Sequence, residues 1–181
     1  MVARAERAGA TRRRVLDAAI AILFGSLAPL TINETARRAG VSIQTVVRTF
    51  GGHAELVAAA ADDAWRRVVD QRSQAPVGDI PASIKVLFIH YEAYGDRLVQ
   101  ARARESVTPE LSPGLVRARA DHRRWVARTY RPLLAERPDA LNALVAATDV
   151  YNWKLLRHDL ALDRKEAEVT MAAMVAAIAG G

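Results

Sequence analysis

The chain contains no cysteine, only three lysines among its 26 basic residues, and no stretch of 18 uninterrupted apolar residues. Each absence removes a class of protein. Without thiols there is no disulfide framework, no zinc–thiolate cluster and no cysteine nucleophile. Without a long apolar run, a membrane-crossing helix is not expected. Convincing alternation of apolar and polar residues, the mark of a half-buried strand, is also missing. The four histidines stand apart at positions 53, 90, 122 and 158, and no Glu-x-x-His occurs. His90 and Glu92 would fall on different faces of a helix, so the metal sites of helical-bundle enzymes have no ligand set here. Gly51-Gly52 lacks the lysine and the preceding strand of a phosphate loop. Neither catalysis nor a metal or cofactor is expected.

What remains is 181 residues of 51% hydrophobic content, enough for one or two small domains. Apolar residues recur every three to four positions almost throughout, which predicts an all-α fold of about nine helices. Residues 1–10 read as a mobile basic arm, and helix one runs from about Arg12 to Phe24 with Thr11 as its cap. Helices two and three cover about 32–39 and 43–49, and Gly51-Gly52 ends a small N-terminal bundle. A longer linking helix follows from Glu55 to Gln71. Pro81 opens a fifth helix, Gly95 marks a bend, and a short sixth reaches Val107 before a breaker cluster from Pro109 to Gly114. The last three helices span about Leu115–Leu134, Pro138–His158 and Arg164–Ile178. The boundary is placed between residues 53 and 54.

Thr11-Arg-Arg-Arg-Val-Leu16, followed by an apolar run to Leu27, has the outward form of a twin-arginine export signal. Asp17 charges the head of that run, and Leu16, Ala19, Ile20 and Leu23 keep helical spacing. The segment therefore reads as a helix, and the expected location is the cytoplasm.

Residues Thr31 to Phe50 carry the densest information. Thr31 and Glu34 have capping-box spacing, so the hydroxyl can accept from the third helical amide while the carboxylate returns to the cap amide. Gly40 closes that helix and Ser42 caps another two residues later. Two short helices joined by a turn of about three residues form a helix-turn-helix, whose second helix lies in the DNA major groove. Ile43, Gln44 and Arg48 would then meet base edges, while Arg12, Arg13, Arg14, Thr31, Ser42, Thr45, Thr49 and His53 complete the DNA-facing set. Charge agrees with this. Through His53 the chain holds eight arginines against Glu6, Asp17 and Glu34, a net of +5 out of +6 for the whole. Nucleic acid is the natural partner for such a segment, the alternative being a solvated basic surface.

The run Ala36-Arg-Arg-Ala-Gly-Val-Ser-Ile-Gln-Thr-Val-Val-Arg-Thr-Phe50, preceded by a helix and followed by Glu55-Leu56, resembles the tetracycline-repressor (TetR) family of one-component transcriptional regulators. Asp149-Val-Tyr-Asn-Trp-Lys-Leu-Leu-Arg-His-Asp159 is similar to a segment found in part of that family. The resemblance implies a homodimer joined through the last two helices, a palindromic operator, and a small-molecule effector held in each larger domain, most simply as a releasable repressor. The aromatic residue usual at the place of Val47 and the lysine usual at the place of His53 are absent, which implies weaker or more salt-sensitive phosphate contact. Thr35 stands where a larger aliphatic residue normally packs. For the effector cavity the resemblance directs attention to Phe88, Tyr91, Trp125, Tyr130 and Trp153, with Asp149, Asn152, His90 and His122 as polar contacts. The same residues read equally well as plain core, and Asp149 as the partner of an arginine across a dimer interface. The rival readings are a helical scaffold that binds DNA without an effector and, behind it, a helical-bundle enzyme.

Overall fold

The structure, a computed structural model, describes residues 2–25, 29–106 and 112–180, with side chains described for residues 6–23, 29–106 and 113–180. Among these residues every regular element is helical, and the chain divides into two compact units, Met1–Val69 and Asp70–Gly181. No helix among them is long and apolar enough to cross a membrane.

The first unit contains α1 (Val2–Gly25), α2 (Ile32–Ala39), α3 (Ile43–Phe50) and most of α4 (His53–Ser73). Val15, Ala19 and Ile22 recur at helical spacing on α1 and meet Ala36 and Ala39 of α2, Val46 of α3, and Leu56, Ala60 and Ala64 of α4 in one core. Because three core residues come from α4, the compact unit continues past the glycine pair at 51–52, which only separates α3 from α4. Residues 2–10 correct the expected arm: they continue α1 without interruption, and Thr11 lies inside the helix. The composition explains this, since alanine, arginine and glutamate are strong helix formers.

Both caps of the helix-turn-helix form. Thr31 Oγ1 accepts from the Glu34 amide at 3.2 Å, and Ser42 Oγ from the Thr45 amide at 3.1 Å. Gly40 sits at φ 64°, ψ 41°, and the Val41 amide donates back to the Ala36 carbonyl at 3.0 Å, the Schellman closure that a left-handed residue permits. The returning half of the capping box does not form. Glu34 turns instead to Arg37 Nε and Nη2, at 2.8 and 2.7 Å, and to Arg38 Nε at 2.7 Å. Charge-assisted bonds to two guanidiniums outcompete one neutral amide. The Arg37 bond, then the Arg38 bond, pull the Glu34 carboxyl down to about 2. Thr35 is fully buried with its hydroxyl donating to the Thr31 carbonyl at 2.8 Å, so a polar side chain occupies an apolar position without an unmet donor.

The second unit contains α5 (Ile80–Arg104), α6 (Ser112–Thr129), α7 (Arg131–Glu136), α8 (Leu141–Ala147), α9 (Val150–Lys154) with a π-turn to Asp159, and α10 (Arg164–Gly180). α5 packs on α9 and α10, and α6 and α10 on α8. Leu87, Phe88, Val126, Leu144, Val150, Met171 and Val175 fill its core. Asp79 caps α5 through the Ala82 amide at 2.9 Å, with Pro81 in the first turn as expected. α5 runs straight through Gly95. That glycine is a packing notch: a Cβ there would lie 2.5 Å from the Trp153 ring. The expected sixth helix is therefore the end of α5, while Val107 and Pro109–Leu111 lie outside the described residues. Two predicted long helices are also cut. α6 ends at Thr129 and Pro132 restarts the chain in α7. Asp149 adopts an extended conformation and its carboxylate accepts from the Tyr151 amide at 3.0 Å, starting α9 after α8.

Candidate nucleic-acid interface

Position sorts the arginines of the first unit into two groups. Arg37 and Arg38 are held by Glu34, and Arg67 by Asp17 at 2.5 Å and Asp63 at 2.8 Å. These pairs turn much of the α2 and α4 charge inward on itself. Arg7, Arg13, Arg14 and Arg48 are exposed and, among the described residues, pair with no carboxylate. Arg12 is exposed as well, its guanidinium carbon 4.6 Å from the centre of the Phe50 ring, a cation–π contact between α1 and the end of α3.

Arg7, Thr11 and Arg12 of α1 face Thr45, Arg48 and Thr49 of α3 across a cleft of about 660 Å³, floored by Ala8, Gly9 and Val41. Three guanidiniums and three hydroxyls around a groove, with no carboxylate in its lining, make a site for phosphate oxygens. Thr45 Oγ1 stands 2.9 Å from Ser42 Oγ, and Thr49 Oγ1 donates to the Thr45 carbonyl at 2.7 Å, so both hydroxyls are oriented by α3 itself. Arg7 and Thr11 are not in the expected DNA-facing set, because Arg7 is expected on a mobile arm and Thr11 at a helix cap. The unbroken helix-forming composition of residues 2–8 was the signal that could have found them.

The candidate base readers stand on the outer face of α3. Gln44 and Arg48 are exposed and Ile43 is 49% exposed, with Val46 inward on the opposite side. Val47 is also exposed, at 41%. His53 has another engagement: its Nε2 lies 2.8 Å from the Leu30 carbonyl, fastening the start of α4 to the segment before α2.

In the second unit the aromatic candidates for effector contact are drawn into the core, while Asp149 and Asn152 are half-buried. Phe88 is fully buried. Tyr91 donates to the Thr148 carbonyl at 2.9 Å, Trp125 Nε1 to the Arg72 carbonyl at 3.0 Å, and Trp153 Nε1 to Glu92 at 2.9 Å. Tyr130 pairs with Ser83 at 3.0 Å, and Asn152 donates to the Ala146 carbonyl at 2.5 Å. Asp149 meets Arg102 of the same chain, both oxygens lying 2.9–3.0 Å from Nη1, which replaces the pairing considered across an interface. His90 and His122 are buried and neutral. Desolvation, then the nearby Arg72 charge, hold each at about 3. No group of three or more potential metal ligands occurs among the described residues. Comparison with known proteins finds no matching family model, no similar curated protein and no similar solved structure.

Proposed function

We propose that this chain is a sequence-specific DNA-binding regulator of the kind its helix-turn-helix resembles, acting as a homodimer on a palindromic operator and released by a small molecule. One observation carries the reading. The outer face of a doubly capped α3 presents Ile43, Gln44 and Arg48 to solvent, beside a cleft that gathers Arg7, Arg12 and Arg48 with no acid in its lining. A helix of that size enters the major groove with its N-terminal side chains on base edges, while the cleft grips the adjoining backbone. Two copies would set their reading helices about 34–36 Å apart, one turn of the duplex. Control by an effector then requires that it favour a dimer geometry with a different spacing.

The test is selection of bound duplexes from a random pool, followed by anisotropy titration and footprinting. The expected outcome is enrichment of an inverted repeat and protection with two-fold symmetry. Enrichment of nothing, with binding that unrelated DNA competes away equally, would favour the scaffold reading. Flat titrations at low salt would remove DNA altogether.

A further inference from the structure

Arg72 is a buried cation of the second unit. Its side chain lies in the interior, 6% of the residue exposed, and a guanidinium keeps its proton even there. Burial disfavours its charge. A buried cation normally meets a carboxylate, yet the partners present are neutral. Arg72 Nη2 donates to His122 Nδ1 at 2.7 Å, and the guanidinium carbon lies 4.6 Å from the centre of the Trp125 ring.

The histidine's hydrogen bonds fix its state. Because a guanidinium only donates, His122 Nδ1 must accept, so the proton sits on Nε2. Nε2 faces Thr148 Oγ1 at 3.2 Å and the Val145 carbonyl at 3.3 Å, and the Thr148 hydroxyl is itself spent on the Leu144 carbonyl at 2.7 Å. The chain is consistent only with neutral His122. It cannot discharge Arg72.

Asp149, whose charge reaches Arg72, is committed to Arg102. Arg72 Nε, meanwhile, is buried with no partner at all, and so are His90 Nδ1 and Thr129 Oγ1, the latter one helical turn beyond Trp125. A charge-bearing donor left bare in a protein interior is the chemistry that an incoming anion satisfies. One net positive charge matches one negative charge. The surroundings are aromatic, since Trp125 stacks on the guanidinium and meets Tyr130 edge to face at 6.0 Å between ring centres.

We propose that Arg72 anchors a buried site for a small aromatic monocarboxylate, whose oxygens take the free Nε edge while its ring lies beside Trp125. As a binding site this stands without any DNA. As the effector site it rests on the regulatory reading above.

The experiment uses the full chain, without DNA, and matched probes: benzoate and 1-naphthoate against benzamide and 1-naphthamide. Calorimetry and thermal shift should show carboxylates binding about tenfold to a hundredfold more tightly than the amides. Arg72→Met keeps the apolar stem and should erase that preference, with a cooperative thermal melt establishing that the variant is folded. The comparison of acid with amide is made on the unaltered protein, so it holds even where the variant fails to fold. Equal response to acid and amide, no response to either at millimolar concentration, or undiminished carboxylate binding by a folded Arg72→Met would overturn the site. Carboxylate binding that leaves DNA affinity unchanged would keep the site and remove its effector role. Carboxylate binding by a protein that binds no DNA would keep the site and remove the regulator.

Discussion

Gln44 and Arg48 are one helical turn apart on α3, so a single groove wall would meet both. If they read bases, Gln44→Ala and Arg48→Ala should each weaken a selected duplex by about 1–3 kcal/mol and a scrambled one much less. Equal losses on the two duplexes would assign them to phosphate instead. A different single-residue effect belongs to His90, whose ring lies tilted against Tyr91 and Tyr94, 5.3 and 5.6 Å between centres, with its Nδ1 unpartnered. Its folded value is about 3 against an ordinary 6.5, and that of His122 is the same. Between those values the unfolded chain takes up protons that the native chain refuses, so stability is full above pH 6.5 and falls as pH drops toward 3. His90→Leu removes one of the two groups responsible and leaves no bare acceptor behind. Denaturant midpoints should fall less between pH 7 and about pH 5 for His90→Leu than for the parent. An unchanged fall would mean that His90 is protonated in the native protein.

At the level of elements, the start and end signals of the short helices were legible because they are chemical and local. Thr31, Gly40 and Ser42 each act within four residues of themselves, and all three behave as their types dictate. The α10 face was legible for a similar reason, as Ala167, Met171 and Val175 carry one apolar stripe into the core. What escaped depends on residues distant in sequence or on competition between partners. Gly95 looked like a bend, but its role comes from Trp153, 58 positions away along the chain and pressed against its backbone. Asp149 looked like part of a helix face; its carboxylate is drawn to the Tyr151 amide and to Arg102, and the helix breaks there. Which arginines are neutralised depends on Glu34 and Asp17, which pair with Arg37, Arg38 and Arg67. Two substitutions separate the local and distant kinds of glycine. Gly40→Ala forces a side chain into φ 64° in otherwise open space, and should cost about 1 kcal/mol through backbone strain alone. Gly95→Ala puts a methyl into an indole ring and should cost about 1–3 kcal/mol, recovered in part by Trp153→Phe. Chemical denaturation of the three proteins checks both. Gly95→Ala folding as stably as the parent would show that Trp153 has room to yield.

For the whole molecule, the distribution of charge matters more than its total. The net charge is +6, and the acids of α2 and α4 neutralise several arginines of the first unit, which leaves the exposed cations concentrated along α1 and at Arg48. Because residues 2–10 are helical, Arg7 projects from a fixed scaffold and shares a groove wall with Arg12. A mobile arm would have to be ordered on binding and would lose part of its attraction to that entropy. Fixed cations that displace counterions from phosphates leave a quantitative signature, since log K falls with log salt at a slope of about −0.9 per phosphate neutralised. Arg7→Ala combined with Arg12→Ala should therefore make the slope shallower by about 2 per protomer, and do so equally on selected and scrambled duplexes. Arg12 also stacks on Phe50, so melting temperature must be followed in parallel to separate lost phosphate contact from a loosened α3. Arg37→Ala supplies the contrast: its guanidinium is already occupied by Glu34, so the slope should move less than for either cleft arginine. A double variant with the parent's salt slope and an intact melting transition would place the phosphate strand somewhere other than the cleft, and α3 would then have to meet DNA from a different side.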